Sequence, residues 1–440
     1  MRMRDGIYCI DSIQKIMRIT ISQIPLILSL LIILISSCVL PASALEFSEE
    51  KIIFVADETA APKFAIDSGN IFIMERCMNH KNDHGDYIIG WSKLYIYNIS
   101  TDKLTELTFD DMPNTGNHFP IDISGNTVYW MGESYIRLYD TESKSYDKLP
   151  VPSSQLRYLA VQDETLALIA TDYPNGMEGN DIYISTDAGA NFKHYIFPGY
   201  QYDIKISGNN VAFYDDRYGQ MRNTVHYLNI DTGESHQIGD ETKGVYLYPD
   251  ISGSNIVYIF DPDFSSFMKG PKEAKQELHL TDISTNKTYL IASPNARISS
   301  AAIDNDYIVW CDNRDESGKY KLFLFNMKEN KEYYVADINA EYGSAPLVSK
   351  NTIVWADGVD NKGVIKIVTI HDENYVDDDI SGNSDTDDTD NTGNPDSTQP
   401  QNTNSDNAQS QTASGEIVWI IASVGIALIA VAGYHGRKNN

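Results

Sequence analysis

Between residues 46 and 376 the chain repeats one pattern of apolar and polar positions. A tight polar turn leads into a run of β-branched and aromatic residues that often ends in an acid, and an alternating strand and a second polar turn follow. The spacings between successive runs are 57, 38, 45, 45, 52 and 45 residues. Short strands repeating every 40–50 residues predict an all-β fold, a seven-bladed β-propeller with one four-stranded blade per repeat. The seven apolar runs begin at Ile71, Val128, Leu166, Val211, Ile256, Ile308 and Ile353.

The residues of the repeat indicate where strands a, b and c lie in each blade and which of their faces are covered. The turn between strands a and b contains Gly125 in one copy and Gly208 in another, where a tight turn needs positive φ. Strand b is apolar at consecutive positions, which predicts that both of its faces are covered. Strand c alternates, as a strand with one buried face does. Prolines are expected to precede strand a in four blades, at Pro62, Pro120, Pro249 and Pro346.

The ends of the repeat region predict how the ring closes. The seventh copy has strands b and c but runs into acidic sequence where strand d should be. An unpaired strand, Lys51 to Ala56, precedes the first copy. We expect this strand to supply the missing outer strand of blade seven, because such pairing removes an exposed sheet edge.

The flanking segments predict an exported, membrane-bound protein. Residues 1–44 have a basic start, an apolar run and small residues that end at Ala44. This is the pattern of a signal peptide that is cleaved after Ala44. An uncleaved anchor and a lipoprotein site at Cys38 are the alternatives. Residues 416–440 contain an apolar stretch followed by basic residues, which predicts a membrane anchor with its tail in the cytoplasm. The Asp-rich segment 377–415 between propeller and anchor predicts a disordered tether.

The overall charge limits the classes of partner. The formal net charge is −28 at pH 7, and a nucleic-acid backbone requires a basic surface. Nucleic acid is therefore excluded as a partner. An acidic surface suits solubility, cations or basic partners.

The repeat resembles that of TolB-like propellers, most closely those of surface proteins from methanogenic archaea. The pattern is Pro-x-Ile-Ser-Gly-x-x-Ile-Val-x-x-Asp, best matched at Pro249–Asp261 and within Ile206–Glu234. The resemblance covers residues 46–372 and implies a propeller at residues 45–376 that serves as a binding or surface module. It does not imply an activity, because propellers host many functions.

A second motif, Ser-x-Asp-x-Gly-x-x-aromatic, resembles the Asp-box of sialidase-like propellers. It spans Ser185, Asp187, Gly189 and Phe192. The two polar side chains can bond backbone amides of a turn, the glycine allows positive φ, and the aromatic ring can pack beneath. The resemblance implies a structural turn between strands c and d of blade three and no catalytic role.

Acids recur where strand b ends and predict an acidic ring on one face of the propeller. A cation-binding or basic-ligand surface is one interpretation, and turn and capping chemistry on a solvated face is the other. The spaced oxygens after Asp312 suit calcium but lack the pattern of an EF-hand. No cofactor is expected otherwise. The candidate ligand residues are Asp215, Asp216, Arg217, Asp261, Asp312, Arg314, Asp315 and Asp357.

A histidine cluster is the candidate metal site. His80, Asp83 and His84 lie in an insertion between strands b and c of blade one, and His118 enters blade two on the same face. Histidines four residues apart with carboxylates can hold a transition metal, and a merely polar insertion is the alternative. Two sequons in c–d turns are candidate glycosylation sites, at Asn98 and Asn286.

Two functions that use a ligand or substrate remain open from the sequence, beside a third, purely structural role in the cell envelope that would leave the channel face without a ligand. The first is a membrane-anchored cell-surface propeller that binds an extracellular protein or glycan without catalysis. The second is an extracellular carbohydrate-active enzyme, a lyase or glycosidase, that uses the acidic and histidine-bearing face. A bound metal at the histidine cluster would favour the second.

Overall fold

The computed structural model describes residues 45–57, 62–77, 80–81, 87–88, 91–109, 120–131, 135–153, 156–171, 179–219, 222–262, 275–314, 319–339 and 345–371. The chain divides into two compact units, residues 1–375 and 376–440, and every described residue belongs to the first. The signal segment, the tether and the anchor lie outside the described residues. Within the part that is described, no helix has the length and apolarity needed to span a membrane.

The described strands form seven antiparallel sheets arranged as propeller blades, and one small hairpin. The first strands of neighbouring blades contact one another and surround a central channel. We label the strands of a blade a to d from the channel outward. Ahead of the first blade lie β1 (Glu46–Phe47) and β2 (Lys51–Val55). The strands of blades one to three are β3 (Lys63–Asp67), β4 (Asn70–Cys77), β5 (His80–Lys81), β6 (Tyr87–Ile88), β7 (Trp91–Asn98), β8 (Lys103–Leu107), β9 (Ile121–Ser124), β10 (Thr127–Met131), β11 (Tyr135–Asp140), β12 (Tyr146–Pro150), β13 (Leu156–Gln162), β14 (Thr165–Thr171), β15 (Asn180–Ser185) and β16 (Lys193–Tyr195).

The remaining blades repeat this plan, and only blade seven borrows from elsewhere in the chain. Their strands are β17 (Gln201–Ser207), β18 (Asn210–Asp215), β19 (Thr224–Asn229), β20 (Ser235–Ile238), β21 (Val245–Ser252), β22 (Asn255–Asp261), β23 (Gln276–Asp282), β24 (Lys287–Ala296), β25 (Ile298–Asp304), β26 (Tyr307–Asp312), β27 (Tyr320–Asn326), β28 (Lys331–Ile338), β29 (Leu347–Ser349), β30 (Thr352–Val359) and β31 (Lys362–His371). The seven-bladed, all-β prediction is therefore confirmed.

The core consists of seven apolar layers, one at each junction between neighbouring blades. Strand b explains this arrangement. In β4, Ile71 and Ile73 pack against blade seven, whereas Phe72 and Met74 pack against blade two. Successive side chains of a strand point to opposite faces, so a strand covered by a blade on each side is apolar at every position. The continuous apolar runs of the sequence follow from this packing.

The N-terminal strands close the ring, as the sequence predicts. Strand β2 pairs antiparallel with Val364–Ile367 of β31, and the Ala56 amide extends the ladder to Gly363. Strand β1, which the sequence did not reveal, pairs with the last two residues of β31. Together they form the outer edge of blade seven.

Hydrogen bonds between blades also tie the a–b turns together around the channel. The last residue of strand a in one blade accepts a hydrogen bond from the first turn amide of the next blade, at six of the seven junctions. For example, the Gly253 amide donates to Ser207 Oγ over 2.8 Å. All six donors have left-handed φ, which points their amides at the neighbour: Gly125, Asp163, Gly208, Gly253, Asn305 and Lys350. Between Ser349 and Ser68, at the junction of blades seven and one, the described residues show no such bond.

Strand a departs from the sequence prediction in two ways. Pro249 does not precede its strand but lies inside β21, at a register shift between Leu247 and Asp250. A bulge tolerates proline because the extra residue is not paired in the ladder. Equivalent shifts occur in β13, β17 and β25, so strand a is longer than the sequence suggested and bends at its middle.

We predict that stability depends on the strand that closes the ring. The Phe54 side chain is 5% exposed, and its ring lies 4.9 Å from that of Tyr95 in blade one. Phe54→Ala should lower the free energy of unfolding by about 3–5 kcal/mol, the usual cost of emptying an aromatic site. Ile52→Ala, on the same strand but 44% exposed, should cost less than about 1 kcal/mol. Urea unfolding of the two variants measures the difference, and equal losses would contradict a closing role for this strand.

Candidate functional site in the central channel

The central channel contains a cavity at the end where the a–b turns meet. Its volume is about 350 Å³, within the usual range for small-ligand sites. Residues from all seven first strands line it, and several are charged. The charged lining residues are Asp67, Asp122, Asp163, Lys205, Asp250 and Asp304.

Three of these side chains occupy one level of the channel. Asp122, Lys205 and Asp250 each lie two residues before the end of strand a, in blades two, four and five. Residues two apart in a strand share a face, so these side chains lie on the same side as the last residue, which bonds to the next blade. Two of these side chains also bond to the next blade. Asp122 accepts a hydrogen bond from the Val161 amide over 2.8 Å, and Asp250 accepts one from the Ile303 amide over 2.8 Å.

Burial alters the acidity of this level. It raises the pKa of Asp122 to about 6 and raises the pKa of Asp250. For Lys205, burial alone would lower the pKa, but attraction from Asp250, Asp203 and Asp122 raises it overall. The ammonium of Lys205 is therefore held charged among carboxylates.

Strand a in blades four and five carries two strained residues at equivalent bulge positions. Asp203 has φ of 48° and Tyr248 has φ of 52°. Left-handed backbone is uncommon for residues other than glycine and is an outlier for a bulky one such as tyrosine. Strain of this kind often occurs at functional positions.

A row of four aromatic rings, which we call the tyrosine row, crosses blades four and five near these residues. Tyr202 and Tyr214 stack with ring centroids 5.2 Å apart, Tyr214 meets Tyr248 edge-on at 5.8 Å, and Tyr200 lies 6.4 Å from Tyr202. Tyr200 is 40% exposed and Tyr248 is 36% exposed. The row therefore offers ring surface to solvent at both ends.

Five polar groups in this region have no hydrogen bond or ion pair with protein in the described part of the chain. Burial raises the pKa of the Tyr158, Tyr214 and Tyr248 hydroxyls, and the negative charge of Asp203 raises each further. Asp203 in turn interacts electrostatically with Lys205. Tyr214 is buried, and the other four are partly exposed. Buried polar groups are normally hydrogen-bonded, and these five have no such protein partner, so they are available to a ligand or water. We call Tyr158, Asp203, Lys205, Tyr214 and Tyr248 the unpaired group.

The acids predicted to form a ligand face are buried instead of exposed. Asp215, Asp261 and Asp312 are 0% exposed. Asp215 binds Arg217 through Nε at 3.0 and 2.8 Å. Asp312 is bound by Arg314 in the same way.

The other predicted acids have similar protein partners. Asp357 is 4% exposed, pairs with Lys366 at 2.8 Å and accepts a hydrogen bond from the Asn339 amide. Asp216 accepts from the Tyr200 amide over 2.7 Å. The geometry is that of internal ion pairs and capped strand ends, and the strand-b acids among them are buried rather than set on a solvated face. A ligand role for them stays a prediction.

For Asp215, hydrogen bonds outweigh burial. Burial alone would raise its pKa, but hydrogen bonds from His226 and Arg217 lower it overall. The carboxylate therefore stays ionised and committed to its neighbours. Asp315, the last of the predicted ligand residues, lies outside the described residues.

Most residues of the predicted histidine cluster lie outside the described part of the chain. His80 begins the short strand β5, and Asp83, His84 and His118 lie outside the described residues. Among the residues that are described, no three His, Cys, Asp or Glu side chains gather as a metal site would require. A metal at the cluster, and calcium after Asp312, stay predictions.

The Asp-box forms a hydrogen-bonded turn. Ser185 Oγ accepts from the Gly189 amide over 2.9 Å, and Asp187 accepts from the Asn191 amide over 2.9 Å. Ser185 Oγ in turn donates to Asp187 over 2.6 Å, and this bond, together with those from Asn191, lowers the pKa of Asp187 to about 2. Gly189 has φ of 88°, and Phe192 packs on the layer between blades two and three.

The two sequons differ in how their amides are held. Asn98 Oδ1 accepts from Thr101, and its Nδ2 donates to Asn70 over 2.9 Å. Asn286 is exposed with left-handed φ. Glycosylation at either position stays a prediction.

The sequence also contains a pattern in strand a that indicates the polar channel, which the strand-b acids do not reveal. Strand a reads Asp-Ile-Ser at Asp122, Lys-Ile-Ser at Lys205 and Asp-Ile-Ser at Asp250. A charged residue on the inward side of an innermost strand has little solvent around it. Such a residue indicates a polar channel.

Comparison with known proteins supports the fold. No family model matches the sequence, and a search of curated proteins gives no significant match. Among solved structures, the β-propeller domain of the trilobed protease from Pyrococcus furiosus matches with a TM-score of 0.51 and 12% identity, over 70% of this chain and 95% of that one. An oligogalacturonate lyase in complex with manganese matches with a TM-score of 0.51 and 12% identity, over 74% and 96%.

Weaker likenesses include a TolB-like protein. A putative TolB from Agrobacterium tumefaciens has a TM-score of 0.41 and 14% identity, over 64% of this chain and 99% of that one. The chain spans about half, 49%, of the acylaminoacyl peptidase from Pyrococcus horikoshii, with a TM-score of 0.48 and 11% identity over 69% of this chain. The two structures with TM-scores of 0.51 are each 12% identical to this chain, and their likeness shows a β-propeller fold alone.

We predict a pH dependence of stability that comes from Asp122. Its pKa is about 6 in the folded protein, against about 3.9 in an unfolded chain. The folded state therefore binds this proton more tightly, and raising the pH from 4 to 6 favours unfolding. Between pH 4 and pH 7 the wild type should lose roughly 2 kcal/mol relative to Asp122→Asn. Urea unfolding of both proteins at the two pH values measures this, and a constant difference would show that Asp122 titrates normally.

Proposed function

We propose that this protein is a non-catalytic binding module at the cell surface, whose ligand is an extracellular protein or glycan held at the central channel. The supporting observation is the unpaired group, whose polar side chains come from three neighbouring blades and have no hydrogen bond or ion pair within the described part of the chain. Two of its rings, Tyr214 and Tyr248, meet edge-on at 5.8 Å across blades four and five. The buried strand-b acids have ligands of their own within the protein. A binding role therefore suits the channel better than the acidic ring.

The flanking segments support the location. An apolar run with basic flanks begins the chain, and another ends it before Arg437 and Lys438. Basic flanks stay on the cytoplasmic side, which puts the propeller outside an archaeal cell. The tether 377–415 then holds it away from the membrane.

We predict that mild protease treatment of intact cells releases the propeller. The acidic tether lacks the apolar residues of a packed core, so a protease can reach it. A compact fragment ending near residue 376 should appear in the medium while Lys438 stays with the membrane. Release only after lysis would place the propeller inside the cell and remove the surface role.

A carbohydrate-active enzyme is the second candidate, and one observation favours it. The pKa of Asp122, raised to about 6 by burial, suits a general acid, and Asp122 faces a cavity. The likeness to the oligogalacturonate lyase shows the fold alone and adds nothing to this candidate.

One experiment separates binding from catalysis. The full-length protein in detergent is incubated with a panel of polysaccharides and peptides, and bound and cleaved products are both measured. We expect retention without new chain ends, with or without added manganese or calcium. Cleavage that Asp122→Asn abolishes would replace the binding function with the enzymatic one. Neither retention of any glycan or peptide nor cleavage would reject both.

A further inference from the structure

We propose that the unpaired group and the exposed ends of the tyrosine row form a subsite for an uncharged sugar residue of a glycan. This inference rests on the proposed binding function and names the class of its ligand. It uses Asp203, Lys205 and Tyr248 as the principal contacts, with Tyr158 and Tyr214 beside them.

The hydrogen-bonding capacity of the unpaired group matches a sugar. A sugar hydroxyl donates one hydrogen bond and accepts others. The Asp203 carboxylate only accepts, the Lys205 ammonium only donates, and the phenol of Tyr158 does both. These three polar groups come from blades three and four. A sugar ring with hydroxyls along its edge can therefore form hydrogen bonds with more than one of them at once.

The tyrosine row supplies the apolar part of the contact. Sugar rings have C–H faces that pack on aromatic surfaces, and tyrosine is enriched where one end of a site is apolar and the other is wet. Tyr248 is 36% exposed and stands edge-on to Tyr214, which stacks on Tyr202. The packing behind it holds Tyr248 in a fixed orientation.

The charges of the site select against acidic sugars. Lys205 brings one positive charge, while Asp203, Asp122 and Asp250 bring negative charges that hold its ammonium. A uronate would therefore meet repulsion, unlike the oligogalacturonate that the lyase among the structural neighbours is named for.

A basic peptide is the competing occupant, because carboxylates also attract ammonium groups. Lys205 already lies among three carboxylates and would repel a second cation. Besides Asp203 and Lys205, the subsite offers phenol hydroxyls and ring faces, which suit hydroxyls and C–H groups better than a charge.

The test uses the full-length protein in detergent and titration calorimetry. The probes are neutral hexasaccharides of glucose, mannose and galactose, a galacturonate hexasaccharide, and hexalysine. We expect a neutral hexasaccharide to bind and the galacturonate to bind at least ten-fold more weakly. Asp203→Asn and Tyr248→Leu should each weaken the neutral sugar ten-fold or more. Thermal melts should show that both variants remain folded.

Matched controls lie on outer strands. Glu106→Gln removes an exposed acid from β8, and Tyr289→Leu removes a tyrosine that is 49% exposed on β24. Both should leave sugar affinity within two-fold. If Tyr248→Leu fails to fold, Asp203→Asn alone decides, since it preserves shape and removes charge.

The outcomes distinguish failure of the sugar subsite from failure of the proposed binding function. Hexalysine binding that Asp203→Asn weakens, without sugar binding, overturns the sugar subsite and leaves a binding module. Galacturonate binding as tight as that of the neutral sugars overturns the charge argument and with it the inference. Sugar binding that neither variant weakens places the site elsewhere on the propeller. If no probe binds, the sugar subsite is rejected, and the wider glycan and peptide panel then decides whether the binding function falls too.

Discussion

The structure depends on closing the ring. Each apolar layer needs a blade on both sides, and the layer between blades seven and one includes Phe54 from the N-terminal strand. Residues 46–47 and 51–55 cover the outer edge of β31 and so complete the last blade. The channel follows from this closure, because its lining comes from all seven first strands and its diameter is fixed only when the circle is complete.

Partners decide what the acids of this protein do. Asp215 and Asp312 are each followed two residues later by an arginine that binds them, so each forms an internal ion pair with a structural role. Asp203 has the same side chain, yet its nearest charged neighbour is Lys205, which it shares with two other carboxylates. A buried ion pair stays closed because removing one partner leaves an uncompensated charge. An acid without such a partner keeps its capacity for a ligand.

The repeat was enough to predict the fold, and the candidate site was not predictable in the same way. Seven apolar runs and one spare strand predicted the blades and the closure, because strand period and blade size are local properties. The strand-b acids were visible, but whether Arg217 reaches Asp215 is a question of geometry. The unpaired group includes Asp203 and Tyr248, which lie at register shifts with left-handed backbone that the apolar pattern of the sequence does not reveal.

The closing strand also sets a sequence of events during synthesis. Strands β1 and β2 are made before every other strand of the ring, yet their partner β31 lies more than 300 residues later in the chain. Pairings at such separation form slowly, since the ends of a long loop must meet. The apolar segment Lys51–Val55 therefore waits unpaired while six blades are made. An unpaired strand edge invites association with other chains, so the nascent chain is open to aggregation until β31 has been made.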